Sequence, residues 1–196
     1  GTGCEPGDLR NGGFETGDGW QILDTAYRAA RVADPVRSGQ WSLRLGIAAG
    51  PDASSYSSVE QRVTVPADVS TARLSFWVYR ISADHGGDVQ YLLLLNEGGG
   101  YESAMWELVH APGWERREVS LDSYRGQPVT LRFGVRNDGD GLLTAMYVDD
   151  VSLTLCRGVT PTPWPDPTAT PTPSFLLPRQ HLPLILAWRD APATGE

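Results

Sequence analysis

Short segments in which apolar and polar residues alternate recur along the chain as far as Leu155. Because a β-strand points successive side chains to opposite faces, this period of two residues predicts strands with one buried face. Gly, Asp and Asn turn signals separate the segments, and long amphipathic helices are not evident. The predicted core-facing phases are Trp41/Leu43/Leu45/Ile47, Val59/Gln61/Val63/Val65, Leu74/Phe76/Val78, Leu131/Phe133/Val135 and Val151/Leu153/Leu155. The pattern therefore predicts an all-β fold, with two antiparallel sheets packed face to face as a sandwich.

One predicted strand, residues 89–95, is apolar on both faces. Its second face must therefore be covered by loops, by a ligand or by another chain. Trp77 and Tyr79 lie on the outward phase of their own strand, and Met105 and Trp106 follow a Gly-rich turn. The sequence thus predicts a second apolar surface besides the core.

Composition changes abruptly after Cys156. Residues 1–158 hold six prolines and residues 159–196 hold nine, with an interrupted Thr-Pro repeat over 159–173. Such a repeat is a stiff extended linker with a reach of roughly 45 Å at about 3.1 Å per residue. The predicted organisation is a β-sandwich domain at 1–158, a Thr/Pro-rich linker at 159–173 and an apolar tail at 174–196.

The apolar segment of the tail, residues 175–188, is too short to span a membrane and carries two prolines, so it is a poor helix. In water it would be prone to aggregation, and it is therefore expected to dock on a protein surface. Its apolar residues are Phe175, Leu176, Leu177, Leu182, Leu184, Ile185, Leu186 and Trp188.

Net charge and cysteine content indicate which partners and which cellular compartment to expect. The net charge is −8 and every basic residue is Arg, which disfavours nucleic acid and anionic membranes as partners. Cys4 and Cys156 bracket the predicted domain, and a Thr/Pro stalk follows them, which favours a secreted protein with one disulfide. Such a bridge is expected to contribute about 5 kcal/mol. The alternatives are free thiols in an intracellular protein, or a lipid-attachment signal at Cys4.

Three motifs carry a family resemblance. They are Asn11-Gly12-Gly13-Phe14-Glu15 followed by Trp20, then Ser38-Gly39-Gln40-Trp41-Ser42-Leu43, and finally Tyr147-Val148-Asp149-Asp150-Val151-Ser152-Leu153. Together they resemble the β-jelly-roll of carbohydrate-binding modules. The stretch from Val119 to Phe133, continued at Asp149, is equally similar to MAM-type jelly-roll domains of secreted bacterial proteins. The resemblance covers about residues 9–155 and implies a fold more strongly than a ligand.

The resemblance also implies a structural calcium ion that ties the N-terminal segment to the last strand. The matching positions are Glu15 and Asp149 or Asp150, with backbone carbonyls near Ser38 and Gly39. Calcium takes six to eight oxygen ligands, so carboxylates from distant segments suit it. In the other interpretation, Glu15 caps a turn and the two aspartates form a solvated strand end.

Flat aromatic side chains with polar neighbours are the candidates for sugar binding, because an aromatic face covers the apolar face of a pyranose. The candidates are Trp77, Tyr79, Trp106, Tyr101 and Trp114, with Gln90 as a polar partner. Each of these tryptophans could instead be a core or interface residue. Catalysis finds little support, since no metal-ligand spacing, nucleophile elbow or phosphate loop is present, and the chain is not expected to be an enzyme.

Two functions remain open. The first is a non-catalytic structural subunit that assembles head to tail into an extracellular filament or surface array, with its tail docked on a neighbouring copy. The second is a carbohydrate-binding module for an extracellular polysaccharide. The apolar tail, which sugar binding leaves without a role, ranks the assembly hypothesis first, although Pro178 and Pro183 restrict any donated strand.

Overall fold

The computed structural model describes residues 3–158. The predicted linker and tail lie outside the described residues, so the domain boundaries stay predictions. Within residues 3–158 no helix is long and apolar enough to cross a membrane.

The described residues form two antiparallel sheets. Sheet A has the strand order β3-β4-β11-β6-β9, with β1 paired to the end of β11, and sheet B has the order β2-β5-β10-β7-β8. The strands are β1 Gly3–Pro6, β2 Gln21–Ile22, β3 Ala30–Val32, β4 Ser42–Gly46, β5 Ser55–Val65, β6 Thr71–Ser82, β7 Val89–Leu95, β8 Tyr101–Glu107, β9 Ala111–Ser120, β10 Gln127–Asn137 and β11 Thr144–Arg157. The predicted all-β jelly-roll sandwich is confirmed.

The core lies between the two sheets, and the alternating pattern identified it except at Trp41, which is half-buried beside the Arg31 guanidinium. Leu43, Leu45, Val59, Val63 and their counterparts on the other strands are fully or almost fully buried. Phe76 of sheet A meets Phe133 of sheet B edge to face, with ring centroids 5.0 Å apart. Apolar burial between the sheets is therefore the main stabilising contribution.

The ends of the domain are joined covalently. Cys4 of β1 and Cys156 of β11 lie opposite each other in the antiparallel register and form a disulfide, as predicted. Beside it, the Arg157 guanidinium is ion-paired with Glu5 and Asp68. The chain therefore enters and leaves the sandwich at one place.

At the edge of the sandwich formed by β8 and β9, an ion network joins the two sheets. Arg80 points inward from β6, its side chain almost fully buried, and is paired with Glu107 of β8 and Glu115 of β9. Arg117 adds contacts of 3.1 Å to Glu107 and 3.0 Å to Glu115. The network fixes β8, the strand that carries part of the site described next.

Candidate functional site

A hollow of about 410 Å³ lies on the outer face of sheet B. Its walls are largely apolar and come from four neighbouring strands together with the segment that follows β2. The lining residues are Leu23, Thr25, Tyr56, Ser58, Tyr91, Leu93, Tyr101, Trp106 and Arg132. We call this hollow the aromatic groove.

Three large apolar side chains are exposed in the described part of the chain, and all three line the aromatic groove. They are Tyr56, which is 53% exposed, Tyr101 at 68% and Trp106 at 56%. Tyr56 belongs to β5, whereas Tyr101 and Trp106 belong to the edge strand β8. An aromatic surface that a monomer leaves open in one concave place is typical of a binding site.

A β-bulge places Tyr101 and Trp106 on the same face. They are five residues apart, so strict alternation would send them to opposite faces of the sheet. The register shifts between Leu92 and Leu93 of β7, where Met105 pairs with Leu92 and Ser103 pairs with Leu93. Ala104 is the additional residue, and the shift turns both aromatic side chains into the groove.

Four residues in direct register form a row across sheet B beneath this surface. Ser58 of β5, Gly134 of β10, Tyr91 of β7 and Trp106 of β8 follow one another from strand to strand. The Tyr91 hydroxyl and Ser58 Oγ share a hydrogen bond of 2.6 Å, and the Tyr91 and Trp106 rings stack with centroids 5.8 Å apart. Burial raises the pKa of Tyr91, so this hydroxyl stays protonated at neutral pH. We call these four residues the cross-strand row.

The charged groups of the face lie beside the groove. Arg132 is ion-paired with Glu60, and Glu60 also lines a second, more polar hollow of about 370 Å³. Arg62, in that second hollow, is ion-paired with exposed Glu97. The face therefore offers an aromatic hollow and a polar hollow that meet at the Arg132–Glu60 pair.

Two of the six predicted ligand-binding residues, Trp106 and Tyr101, line this groove. Three others belong to sheet A: Trp77 and Tyr79 lie in β6 and Trp114 in β9. The Arg37 guanidinium lies 4.1 Å from the centre of the Trp77 ring. Tyr79 contacts Trp114 and Tyr147, each at 5.8 Å between ring centroids. The predicted aromatic set is thus divided between two sheets and forms no common site.

Gln90 requires a correction. The residue is wholly buried between the sheets, and its side-chain amide donates to the carbonyls of Val109 and Ala145. Its side-chain oxygen accepts a hydrogen bond from the Val109 N–H. Since the amide is used by the backbone, Gln90 holds the loop before β9 and does not face a ligand.

Sequence reasoning missed Tyr56, Tyr91, Ser58 and Arg132. Tyr56 sits on the outward phase of β5, opposite to the predicted core phase that begins at Val59. Tyr91 belongs to the strand that is apolar on both faces, and that pattern was the available signal. The outer face of that strand forms part of the lining of the aromatic groove.

The five predicted calcium positions meet at one junction. The Glu15 carboxylate accepts hydrogen bonds from the N–H groups of Gln40 and Trp41, which directly follow the turn at Gly39. The wholly buried Asp149 accepts from the Ser38 N–H, and the Asp150 carboxylate accepts from the Ser38 hydroxyl. Hydrogen bonds therefore join the N-terminal segment, the 38–39 turn and β11 at this junction.

The side chains at this junction offer carboxylate oxygens, which are the ligands that a hard cation prefers. Calcium binding at this junction stays a prediction. Burial raises the pKa of Asp149, and within residues 3–158 no cationic side chain is ion-paired with it. Bound Ca²⁺ would supply the missing positive charge and would bridge the two segments. Glu15, Asp149 and Asp150 would be its carboxylate ligands.

A different set of acids forms a close carboxylate group within the described residues. Asp52, Asp138 and Asp140 have carboxylate oxygens within 4.8 Å of one another. Their oxygens also accept backbone hydrogen bonds: Asp138 accepts from the Asp140 N–H within its own turn, and Asp52 accepts from the Gly141 N–H of a distant loop. This group provides a control position for experiments on the Glu15 junction.

The comparisons with known proteins concern the fold. No protein-family model and no curated protein sequence matches the chain. Among solved structures, the carbohydrate-binding module TmCBM61 in complex with β-1,4-galactotriose has a TM-score of 0.56 and 20% identity, over 76% of this chain and 98% of that one. The enzymatically active domain of tailspike protein 4 of bacteriophage CBA120 has a TM-score of 0.53 and 13% identity, over 76% of this chain and 21% of that one.

A family 16 carbohydrate-binding module has a TM-score of 0.48 and 17% identity, over 74% of this chain and 97% of that one. The assembly hypothesis finds no support among these matches, and its tail lies outside the described residues. The chain therefore has the β-sandwich fold seen in carbohydrate-binding modules.

Proposed function

We propose that the chain is a non-catalytic module of a secreted protein and binds an extracellular polysaccharide in the aromatic groove of sheet B. One observation carries the proposal. The three exposed large apolar side chains of residues 3–158, Tyr56, Tyr101 and Trp106, all line one hollow. The fold shared with TmCBM61, which was solved with a bound galactotriose, supports the same proposal.

The chemistry of the groove suits a sugar chain. Aromatic faces cover the apolar C–H face of pyranose rings, and the rims of the groove supply such faces on two sides. Arg132 and the hydroxyls of the exposed Tyr56 and Tyr101 supply hydrogen bonds to sugar hydroxyls. Tyr56 and Trp106 lie on strands separated by β10 and β7, so a bound chain of several sugars would span about 14 Å across the sheet.

Secretion is consistent with the bond between Cys4 and Cys156, because disulfides persist in oxidising compartments. In this proposal the Thr/Pro-rich linker spaces the module from its neighbours. Self-assembly through the tail is not needed for the groove to act.

The test is calorimetric titration of the full chain with a panel of neutral polysaccharides and oligosaccharides, beginning with β-1,4-galactotriose. We expect W106A and Y101A each to weaken binding about tenfold, since a buried aromatic contact of this kind is worth roughly 1–2 kcal/mol. W114A on the opposite sheet is the matched control and is expected to bind as the parent does.

Two results would overturn the proposal. One is the absence of binding to every glycan by a folded parent chain. The other is equal loss of affinity in W114A and W106A, which would remove the groove from the interaction.

A further inference from the structure

We infer that Tyr91 is the positioning residue of the aromatic groove: it sets the plane of Trp106, and Gly134 is the position that allows it to do so. This inference rests on the proposed function. It concerns the cross-strand row, whose members lie side by side on four neighbouring strands.

Gly134 provides space rather than an unusual backbone conformation. It does not have a positive φ, yet a Cβ placed there would lie 2.6 Å from Cε2 of Tyr91 and closer still to Cζ and the hydroxyl. Carbon atoms do not approach so closely, and the atoms in the way belong to a rigid ring. The Tyr91 ring therefore lies flat across β10 only because residue 134 has no side chain.

The far end of the Tyr91 ring is fixed as well. Its hydroxyl reaches across β10 to Ser58 of β5, with 2.6 Å between the two oxygens. Ser58 is 2% exposed and Tyr91 is 3% exposed, so the bond is shielded from water. A buried hydrogen bond at one end and a glycine beneath the ring leave Tyr91 with a single orientation.

Trp106 lies on this fixed ring. The planes of the two rings differ by 27°, with centroids 5.8 Å apart, whereas Trp106 itself is 56% exposed. Trp106 thus has one face against Tyr91 and the remainder open to solvent. The orientation of the exposed Trp106 is therefore set by Tyr91, a buried residue that a ligand in the groove scarcely contacts.

An aromatic ring that covers a glycine also stabilises a sheet without any ligand. The two roles make different predictions. If Tyr91 only stabilises the sheet, its loss changes the unfolding temperature and leaves Trp106 and the affinity unchanged in the folded protein. If Tyr91 positions Trp106, the effects of changes at 134 and at 106 on affinity are not additive.

The main experiment compares G134A with G113A in the full chain. Gly113 lies in β9 of the other sheet, and a Cβ there would meet nothing within 4 Å. We expect G134A to weaken binding of β-1,4-galactotriose, or of whichever panel glycan the parent binds best, by about tenfold, and G113A to bind as the parent does. The double variant G134A/W106A is expected to bind no more weakly than W106A.

A second pair of variants avoids any clash. Y91L removes the aromatic support but leaves Gly134 free, and we expect it to lose affinity as G134A does. Y91F keeps the ring and removes only the hydroxyl, so it should retain most of the affinity. Recovery in Y91F relative to Y91L separates the role of the ring from that of the hydrogen bond.

A readout without ligand separates this inference from the proposed function. The near-ultraviolet circular dichroism contributed by Trp106, taken as the difference between each chain and its W106F variant, is expected to change in G134A and Y91L. It should be unchanged in G113A. If no glycan binds the parent but this signal behaves as expected, the proposed function fails and the positioning role stands.

Parent-like affinity together with a parent-like Trp106 signal in folded G134A and Y91L would overturn the inference. Strictly additive losses in G134A/W106A would overturn it as well. A loss of folding in G134A alone would leave the decision to Y91L, which introduces no overlap.

Discussion

At the junction between the N-terminal segment and β11, the buried carboxylate of Asp149 binds the backbone of residues 37–38 to β11. Its Oδ2 accepts the Arg37 N–H at 2.9 Å, and its Oδ1 accepts the Asp150 N–H at 2.7 Å. The left-handed backbone at Asn11, Phe14 and Asp150 clusters around the same junction. Non-glycine residues hold this conformation only where surrounding contacts impose it, so the junction is a place where strain is balanced by these bonds.

Calcium is expected to stabilise this junction. Addition of millimolar Ca²⁺ should raise the unfolding temperature of the full chain, because the ion binds the folded state and not the separated segments. An E15Q/D149N variant should lose that response, and EDTA should return the parent to its calcium-free value. Differential scanning calorimetry measures both effects.

The control for the calcium experiment is D140N, in the carboxylate group at Asp52 and Asp138. It is expected to keep the response to Ca²⁺. A response that disappears in D140N and persists in E15Q/D149N would place the ion at the other group and contradict the resemblance-based assignment.

At the scale of elements, the edge strands β8 and β9 depend on the Arg80 network. Breaking a buried ion pair on one side is costly, because it leaves the other charge unpaired and desolvated. We therefore expect E107Q/E115Q to lower the free energy of unfolding by about 3 kcal/mol, and R80M to lower it less, since Met removes the buried charge itself. Urea unfolding of the three chains measures the order of stabilities.

Because Glu107 directly follows Trp106 in β8, the E107Q/E115Q variant also changes the strand that carries part of the aromatic groove. Greater destabilisation in R80M than in E107Q/E115Q would mean that Arg80 contributes mainly through packing of its aliphatic part.

The strands themselves could be predicted because burial of one face imposes a period of two residues. The groove could not be predicted in full, because its residues come together through register and through the bulge at Ala104. Alternation alone assigns Tyr101 and Trp106 to opposite faces. It also gives no indication that the Gln90 side chain is hydrogen-bonded to the backbone of distant segments. Cross-strand neighbours such as Gly134 and Tyr91 are 43 positions apart in sequence, and nothing local marks their contact.

For the whole molecule, one covalent bond joins the two ends of the sandwich. The Cys4–Cys156 disulfide links residues 152 positions apart, so it restricts the unfolded chain over nearly the whole domain. Among the strands of residues 3–158, the N-terminal strand β1 pairs only with the end of β11, at the point where the chain leaves the sandwich. Without the bond, this short and exposed strand is the first element expected to separate.

The C4S/C156S variant is therefore expected to fold with its groove intact but to lose about 2–5 kcal/mol of unfolding free energy. The loss arises mainly because the unfolded chain regains the conformational freedom that a large closed loop denies it. Guanidinium unfolding of the variant, of the parent and of the parent under reducing conditions measures this loss. Reduction should lower the unfolding free energy of the parent by as much as the C4S/C156S substitution does. Glycan affinity should be unchanged, since the bond lies in sheet A and the groove in sheet B. Equal stability of parent and variant would show that the thiols are not joined in solution, and it would remove the main support for a secreted module.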